Sequence, residues 1–448
     1  MIIRLLLLVL MYALCISGAQ TQTRTVTHES VKAEFLHAWN AYKQYAWGHD
    51  ALKPLSMKPH NWYGTSLLMT PVDAFDTMML MGLKEEAAEA KKLILENLSF
   101  DKNIEVQSFE ITIRLLGGLL SAYQMDGDER FLILAEDLGN RLLPVFNSST
   151  GMPYRFVHFQ TGKIRDSLNN PAEIGTCLIE FGTLSKLTGK PVYYDKAKNA
   201  LVQLYNRRSE IGLVGSLINV ETGEWVRTTS HIAGGIDSYY EYLLKAALLF
   251  DDDECRTMWE DALRSVNEYL SDSTHGGLWY GQADMYTGKR TGTTFGSLDA
   301  FFPAVLAMGG DLERAAKLQE SCLKMWNLHG IEPERIDYAK MAVTRPQYYL
   351  RPEIIESAYY LHHYTRDEAY LKMGETFFDG LVNHCRTEAG YAYLEDVVVK
   401  KQGDDMESFF LAETLKYLYL LFAPADTLPF EDVIFNTEAH PIRKTWKY

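Results

Sequence analysis

The chain has 448 residues, of which 47% are hydrophobic and 23% charged, a composition that excludes disordered and fibrous proteins and allows a large core. Its 44 lysines and arginines are outnumbered by 59 aspartates and glutamates, and the formal net charge is −15. Negative charge repels phosphate backbones and anionic lipids, so we expect no nucleic-acid partner.

The chain begins with a short apolar run over residues 5–16 that follows Arg4 and ends at Ser17-Gly18-Ala19. The run is too short to cross a bilayer and predicts a cleavable signal peptide over residues 1–19. We therefore expect a secreted or periplasmic protein without a stable membrane anchor. A lipid anchor at Cys15 is the weaker alternative, because the residues before it match a lipobox poorly.

Beyond the signal, the sequence repeats one unit: an apolar helical run, a short polar break and an amphipathic helix. The clearest copy has an apolar helix over residues 111–123, a break at Asp126-Gly127-Asp128 and a second helix with an apolar stripe that includes Phe131, Leu134 and Leu138. Equivalent breaks occur at residues 82–84, 188–190, 251–253, 309–311 and 365–367. The pattern predicts buried inner helices, each with an outer partner.

A seventh apolar run, residues 409–422, has no amphipathic helix after it, and the amphipathic stretch over residues 29–45 can supply the missing partner. Seven such pairs predict an all-α fold, an (α/α)7 barrel. Turn signals at residues 160–163, 221–224 and 286–289 predict short β-hairpins on one rim. Because no linker or shift in composition interrupts the repeats, we expect one domain over residues 20–448.

Acidic residues stand at the start of six of the apolar runs: Asp73, Glu110, Glu173, Asp237, Glu353 and Glu407. Taken singly, each is more simply a helix cap or a partner of the helix dipole. In a barrel, however, the inner helices start at the same end, and charged residues inside these runs, such as Arg114 and Glu413, are costly to bury without partners. Together they favour a cavity for a polyhydroxylated ligand, and glycoside cleavage by two carboxylates is the first chemistry to test.

Six segments resemble, in order, the motifs of class I α-mannosidases, glycoside hydrolase family 47. They are residues 72–77, 109–120, 237–242, 350–353, 409–417 and 435–441. The resemblance implies an (α/α)7 barrel that removes terminal α-1,2-linked mannose from high-mannose glycans with inversion. It also implies a calcium cofactor and a mannose-containing oligosaccharide or N-glycan as the partner.

The resemblance also assigns residues. Glu110 matches the general acid, Glu353 the general base, and Asp237 a third catalytic carboxylate that is an alternative base or acid. The residues that match the sugar-binding set are Arg114, Arg351, Phe409, Glu413 and Glu173. A helix N-terminus favours an ionised carboxylate, which suits Glu353 as the base, whereas Glu110 must be kept protonated by crowding with other acids.

Thr437 matches the calcium ligand and offers its hydroxyl and its carbonyl oxygen. Calcium takes 6–8 oxygens, so waters and sugar hydroxyls must complete the shell. Glu356, Glu413 and Glu438 are then expected to hold those waters from behind. Without the surrounding motif, Thr437 is more simply a turn or cap residue.

The chain also departs from the family's pattern. Cys322 matches one half of a common disulfide, but Ala300 occupies the other position, so that bridge cannot form. Ser297 stands where a family histidine often contacts the base. The lack of a membrane stem and of this disulfide favours a bacterial origin, with a secreted fungal enzyme as the alternative, and we expect a monomer.

Two other classes of function stay open at this stage. One is a barrel that has lost turnover and serves as a glycan receptor. The other is a different (α/α) toroid that acts on other sugars by other chemistry.

Overall fold

Seven inner and seven outer helices alternate along residues 26–444, the part of the chain that the computed structural model describes. The outer helices are α1 (His28–Ala46), α4 (Lys84–Asn97), α7 (Glu129–Leu142), α10 (Pro191–Tyr205), α12 (Asp253–Tyr269), α14 (Leu312–Asn327) and α16 (Ala369–His384). The predicted (α/α)7 barrel is therefore confirmed, with α1 as the partner of the seventh inner helix. The predicted signal peptide lies outside the described residues.

The inner layer is more irregular, because several of its members are broken or wound differently near their N-termini. In chain order they are α2 (Met69–Asp73) with α3 (Phe75–Leu80); α5 (Ser108–Ile111), a π-helical segment Thr112–Leu116 and α6 (Gly117–Asp126); α8 (Pro171–Gly175) with α9 (Leu178–Thr188); α11 (Asp237–Phe250); a 3₁₀ turn Leu298–Phe301 with α13 (Phe302–Met308); α15 (Glu353–Thr365); and a second π-helical segment, Phe410–Thr414, with α17 (Leu415–Phe422). Two further 3₁₀ turns are Leu143–Phe146 and Phe430–Asp432. Each inner helix packs against the next, and the last returns to the first, which closes the ring.

Helix α7 shows how the sequence pattern produces this layering. Its stripe of Phe131, Ala135 and Leu138 is buried against the inner layer, whereas Ile133 on the opposite face is 65% exposed. The Asp128 side chain caps the helix by accepting a hydrogen bond from the backbone N–H of Arg130. The break before it ends at Gly127 with φ of +82°, a conformation that favours glycine.

Short antiparallel strands form the connections that lead into the inner helices. They are β1 (Ala51–Lys53), β2 (Lys58–His60), β3 (Glu105–Gln107), β4 (Phe156–His158), β5 (Ile164–Arg165), β6 (Leu168–Asn169), β7 (Leu217–Asn219), β8 (Trp225–Arg227), β9 (Thr229–Ser230), β10 (Ser271–Thr274), β11 (Gly277–Tyr280), β12 (Gln282–Asp284), β13 (Arg290–Gly292), β14 (Thr294–Gly296), β15 (Arg335–Asp337), β16 (Ala342–Arg345), β17 (Arg386–Thr387), β18 (Gly390–Tyr391), β19 (Leu394–Asp396) and β20 (Lys401–Gln402). Three-stranded sheets form in the orders β3-β4-β5, β6-β7-β8, β13-β12-β9 and β14-β15-β16. Because β3, β6 and β9 end just before inner helices begin, this rim is the end at which the inner N-termini meet.

The last two strands, β21 (Val433–Phe435) and β22 (Pro441–Arg443), form a hairpin inside the barrel. The chain leaves α17 at the opposite end from the sheet-bearing rim and re-enters the lumen, where β21 contacts α11 and β22 contacts α6. Asn436 and His440 at the hairpin tip approach Gly117 so closely that a Cβ there would lie 3.1 Å from the His440 ring. This insertion, which the sequence pattern did not predict, closes the base of the cavity.

Cys177, Cys255, Cys322 and Cys385 are all buried and unbridged in the described part of the chain. Cys322 therefore has no disulfide partner there, in line with alanine at position 300. No helix between residues 26 and 444 combines the length and apolar character needed to cross a membrane.

Candidate active site

A cavity of about 380 Å³ opens at the end of the barrel where the inner helices begin. It collects nearly all of the residues singled out from the sequence: Glu110, Arg114, Glu173, Asp237, Arg351, Glu353, Phe409, Glu413, Thr437 and Glu438. These side chains come from five different inner helices or their entries and from the hairpin tip. The convergence follows from the shared direction of the inner helices.

Arg114 is the central cation of this cavity. Its guanidinium contacts Glu110 at 3.0 Å and Asp73 at 3.6 Å, and it also forms an ion pair with Glu438. Arg114 lies in the first π-helical segment, and such segments often occur at functional sites. Burial, with neighbouring Asp73 and Glu110, raises the pKa of Glu438 well above its usual range, although Arg114 lowers it.

Glu353 begins α15, after a tight backbone turn in which Leu350 has φ of +61°. Burial raises the pKa of Glu353 to about 7, against the lowering effects of Arg351 and of its own backbone N–H. The expectation that the helix start would lower this pKa is wrong, because desolvation is the larger effect. Its Oε2 is enclosed and has no hydrogen-bond partner within residues 26–444.

Asp237 begins α11 on another wall of the cavity. Its Oδ1 accepts a hydrogen bond of 2.9 Å from the backbone N–H of Ser238. Burial, with a contribution from nearby Glu241, raises the pKa of Asp237 to about 6. Asp237 and Glu353 are therefore both carboxylates with pKa values close to neutrality, a property suited to a general base.

Two acids behind Arg351 were missed by the sequence analysis. Glu334 pairs with Arg351 at 3.1 Å and accepts a hydrogen bond of 3.0 Å from the Ser297 hydroxyl. Ser297 is thus linked through Glu334 to Arg351, which lines the cavity beside Glu353. Glu332 is fully buried, and neither of its oxygens has a hydrogen-bond partner in the described part of the chain. Burial together with Glu353 raises its pKa well above the usual range.

The remaining sugar-site candidates are held in different ways. Glu173 pairs with Arg155 at 2.9 Å and accepts hydrogen bonds of 3.0 Å from Gln107 and 2.9 Å from Asn170. Glu413 lies in the second π-helical segment, where burial and neighbouring Glu438 raise its pKa well above the usual range. Glu173 is therefore a fixed acceptor, whereas Glu413 lies among other acids.

Phe409 lies between the two arginines of the cavity. The guanidinium carbon of Arg114 is 5.6 Å from the centre of its ring, and that of Arg351 is 5.9 Å away. The ring thus separates two cations and presents an apolar surface to the cavity.

The hairpin tip that carries Thr437 is anchored by buried polar contacts. The Thr437 backbone N–H donates to the Tyr242 hydroxyl at 3.2 Å, and the Asn436 amide donates to the Ile113 carbonyl at 2.9 Å and to Glu180 at 2.8 Å. Ala439 has φ of +57°, a strained conformation for a residue with a Cβ. Thr437 is therefore held in a defined position on the floor of the cavity.

Glu356 does not line the cavity, unlike the other residues assigned with it. It accepts a hydrogen bond of 3.2 Å from the Tyr417 hydroxyl and lies 4.0 Å from Lys245, which pairs with Glu241. Burial raises the pKa of Glu356 to about 8. Between residues 26 and 444, no cluster of three His, Cys, Asp or Glu side chains has the geometry of a metal site.

Several carboxylates that line one pocket at the mouth of an (α/α) barrel are an arrangement suited to glycoside hydrolysis. The sequence model of glycosyl hydrolase family 47 matches residues 34–444, and the chain belongs to this family. It is therefore a glycoside hydrolase, as the sequence motifs predicted.

The relatives agree with this assignment. The chain is 39% identical to α-mannosidase I MNS4 of Arabidopsis thaliana, over 92% of this chain and 69% of that protein. It is 37% identical to mannosyl-oligosaccharide 1,2-α-mannosidase IB of Homo sapiens, over 92% of this chain and 69% of the relative. The solved structure of an α-1,2-mannosidase from Trichoderma reesei superposes with a TM-score of 0.86 at 28% identity, covering 93% of this chain and 98% of the other.

These relatives correct one expectation. A bacterial origin with secreted or periplasmic localisation is wrong, because the matching proteins include enzymes of a plant, mammals and fission yeast, some named for degradation in the endoplasmic reticulum. The absence of one disulfide and of a membrane stem was too weak a basis for that inference.

Proposed function

We propose that the protein is an exo-acting α-mannosidase that hydrolyses terminal α-1,2-linked mannose from high-mannose glycans with inversion of configuration. The observation that carries the proposal is the cavity that Glu110, Asp237 and Glu353 line together with Thr437 of the hairpin tip. A cavity closed at its base favours a terminal sugar over an internal one. The names of the relatives support mannose as the sugar and α-1,2 as the linkage.

Glu110 is the proposed general acid. Its side chain is 24% exposed, so it can reach the oxygen of a departing sugar at the mouth of the cavity, and Arg114 holds it in place. Protonation of that oxygen makes the sugar a better leaving group.

Glu353 is the proposed general base. Its enclosed, unpartnered Oε2 is a strong acceptor for a water molecule, and a pKa of about 7 suits proton abstraction near neutral pH. Inverting enzymes hold the acid and the base about 6.5–9.5 Å apart to leave room for that water, a span that residues on separate inner helices can provide. Asp237, with a similar pKa, is the alternative base.

The residues of the floor fit a calcium ion. Among the described residues, the lining of the cavity includes no His or Cys side chain, and Glu353, with an unpartnered oxygen, and the crowded acids Glu413 and Glu438 line it together with Thr437. Thr437 would hold the ion through its hydroxyl and carbonyl oxygens, while Glu413 and Glu438, together with Glu356, would hold its waters. When bound, the ion would fix sugar hydroxyls and add positive charge to the floor.

Hydrolysis of α-1,2-, α-1,3- and α-1,6-linked mannobiose tests the linkage directly. We expect free mannose from the α-1,2 disaccharide and little from the other two. Comparable release from the α-1,6 disaccharide would overturn the specificity, and glycan binding without release would favour the receptor alternative.

Substitution of the two glutamates tests their roles. Glu110→Gln and Glu353→Gln are expected to lower turnover by a factor of about 100 or more, because each removes a proton-transfer group at nearly constant volume. Glu313→Gln, on an exposed side chain of α14, is the matched control and should leave turnover unchanged. Near-normal turnover of Glu353→Gln would transfer the base role to Asp237.

Proton NMR of the fresh product tests the stereochemistry of hydrolysis. Removal of the metal tests the need for the cofactor. The first product is expected to be β-mannose, and activity is expected to vanish with a chelator and return with calcium. Initial α-mannose would contradict inversion. Full activity with no metal in the chelated protein would remove Thr437 from the mechanism.

A further inference from the structure

A groove of about 480 Å³ lies between the outer helices α1 and α4. Trp47, directly after α1, forms part of one side, and side chains of residues 89–97 form the other. The groove residues of α4 are spaced three and four apart, so they share one face of the helix. The groove has no lining residue in common with the catalytic cavity and takes no part in the proposed mechanism.

Asn97, the last residue of α4, lines this groove and begins the tripeptide Asn97-Leu98-Ser99. The sequence contains one other Asn-X-Ser/Thr tripeptide, which begins at Asn147. Such tripeptides are acceptors for N-linked oligosaccharides. Asn97 and Ser99 are exposed, whereas Leu98 between them is buried, so the fold leaves both recognised residues accessible.

The Asn97 amide can carry a sugar without losing its contact in the fold. Its Nδ2 donates a hydrogen bond of 3.0 Å to the Leu93 carbonyl, one turn back in α4. A side-chain amide nitrogen has two hydrogens, and an N-glycosidic bond replaces only one of them. The remaining N–H can still donate to Leu93, so the modification is compatible with the end of the helix.

Trp47 gives the groove an aromatic wall. Its ring is held by edge contacts with Trp39 and Tyr42, at centroid distances of 5.9 Å and 6.1 Å, yet the residue is 36% exposed. The Nζ of Lys43 lies 5.9 Å from the ring centre. An indole held on one side and open on the other offers a flat apolar surface against which the C–H face of a sugar can pack.

The charges along the groove are balanced. Two lysines, Lys43 and Lys92, and two glutamates, Glu89 and Glu96, line it, and Lys43 forms an ion pair with Glu89. A ligand with a net charge gains little from such a lining. The hydroxyl groups of a neutral sugar can accept hydrogen bonds from the lysines and donate to the glutamates.

We propose that Asn97 is an N-glycosylation site and that the first sugar of its oligosaccharide lies in the groove against Trp47. In the modification, Asn97 Nδ2 forms a bond to the anomeric carbon of an oligosaccharide carried on a lipid diphosphate. The bond from that carbon to the diphosphate oxygen breaks, the lipid diphosphate leaves, and the amide nitrogen loses one proton. The site goes beyond the proposed hydrolase function and does not depend on it.

Peptide mass spectrometry of the full chain, produced in eukaryotic cells, tests the modification. We expect an oligosaccharide on Asn97 that a peptide N-glycosidase removes. Ser99→Ala should abolish it, whereas Ser99→Thr, the matched control, keeps the acceptor tripeptide and should retain it. An unmodified Asn97 in the wild type would overturn the site, whatever the state of Asn147.

Oxidation of Trp47 by hydroxyl radicals, followed on its peptide, tests the position of the sugar. The rate is expected to be about twofold lower in the wild-type glycoprotein than in Ser99→Ala, because the sugar covers the open side of the ring. Enzymatic removal of the oligosaccharide from the folded protein should restore the higher rate, and Asn147→Gln, the control, should leave the wild-type rate unchanged. Equal rates with and without the sugar on Asn97 would overturn its placement against Trp47.

Discussion

The substitution Lys416→Met tests the buried charge cluster that holds the hairpin inside the barrel. Lys416 is fully buried, lies 2.7 Å from Asp76 and donates a hydrogen bond of 2.6 Å to the Ala439 carbonyl. Asp76 also contacts His440 at 2.7 Å. Burial alone would raise the pKa of Asp76, but Lys416 and His440 together lower it.

Methionine keeps much of the apolar stem of lysine, so the main effect is loss of the charge and of the hydrogen bond. Breaking a buried ion pair by removing one partner costs about 3–5 kcal/mol. Because His440 still compensates Asp76, we expect the lower end, about 3 kcal/mol of the free energy of unfolding. That is a large fraction of the roughly 5–15 kcal/mol typical of folded proteins.

Equilibrium urea unfolding measures this loss. Lys317→Met is the matched control: Lys317 pairs with Glu313 at 2.6 Å, but both side chains are more than half exposed, and the expected loss is below about 1 kcal/mol. If Lys416→Met also cost less than about 1 kcal/mol, the cluster would not be what holds the hairpin in place.

Two further predictions concern buried titratable groups. Burial alone would lower the pKa of His440, but Asp76 and Asp73 raise it to about 9. The protonated His440 therefore stabilises the fold fully below about pH 6.5, and this stabilisation is lost as the pH rises towards 9. The stability difference between the wild type and His440→Gln should therefore shrink over this range in urea titrations, and a constant difference would contradict the pairing. Burial raises the pKa of Glu332, so its ionisation lowers the free energy of unfolding increasingly as the pH rises above about 4.5. Relative to the wild type, Glu332→Gln should therefore be more stable at pH 7 than at pH 4, by about 1.4 kcal/mol for each unit by which the pKa is raised. A variant less stable than the wild type at pH 7 would show that the charge of Glu332 is stabilised.

Hydrophobic periodicity was sufficient to predict the barrel, because each inner helix is apolar all round and each outer helix has one stripe. The acids at helix starts were predictable for the same reason, since a shared helix direction brings Glu110, Asp237 and Glu353 to one end. Glu332 and Glu334 were missed because they follow α14 in a connection with no periodic pattern. An available signal was the run Ile331-Glu332-Pro333-Glu334, which places two acids beside a buried apolar residue.

Other features depend on tertiary contacts that local sequence does not encode. The direction in which the hairpin re-enters the barrel is set by partners far away in sequence, such as Glu180 and Tyr242 for its tip. The pKa of Glu353 was misjudged because its local cue, a helix start, is outweighed by an enclosure that only the folded chain creates. Lys416, inside a mostly apolar run, indicated a buried acidic partner.

The closure of the ring has a consequence for synthesis on the ribosome. The seventh inner helix packs against α1, and the hairpin at residues 433–443 forms the floor of the cavity. A nascent chain that has emerged only through α16 therefore lacks one wall and the floor, although Glu110, Asp237 and Glu353 are already present. We therefore expect the proposed hydrolytic activity to arise only late in translation.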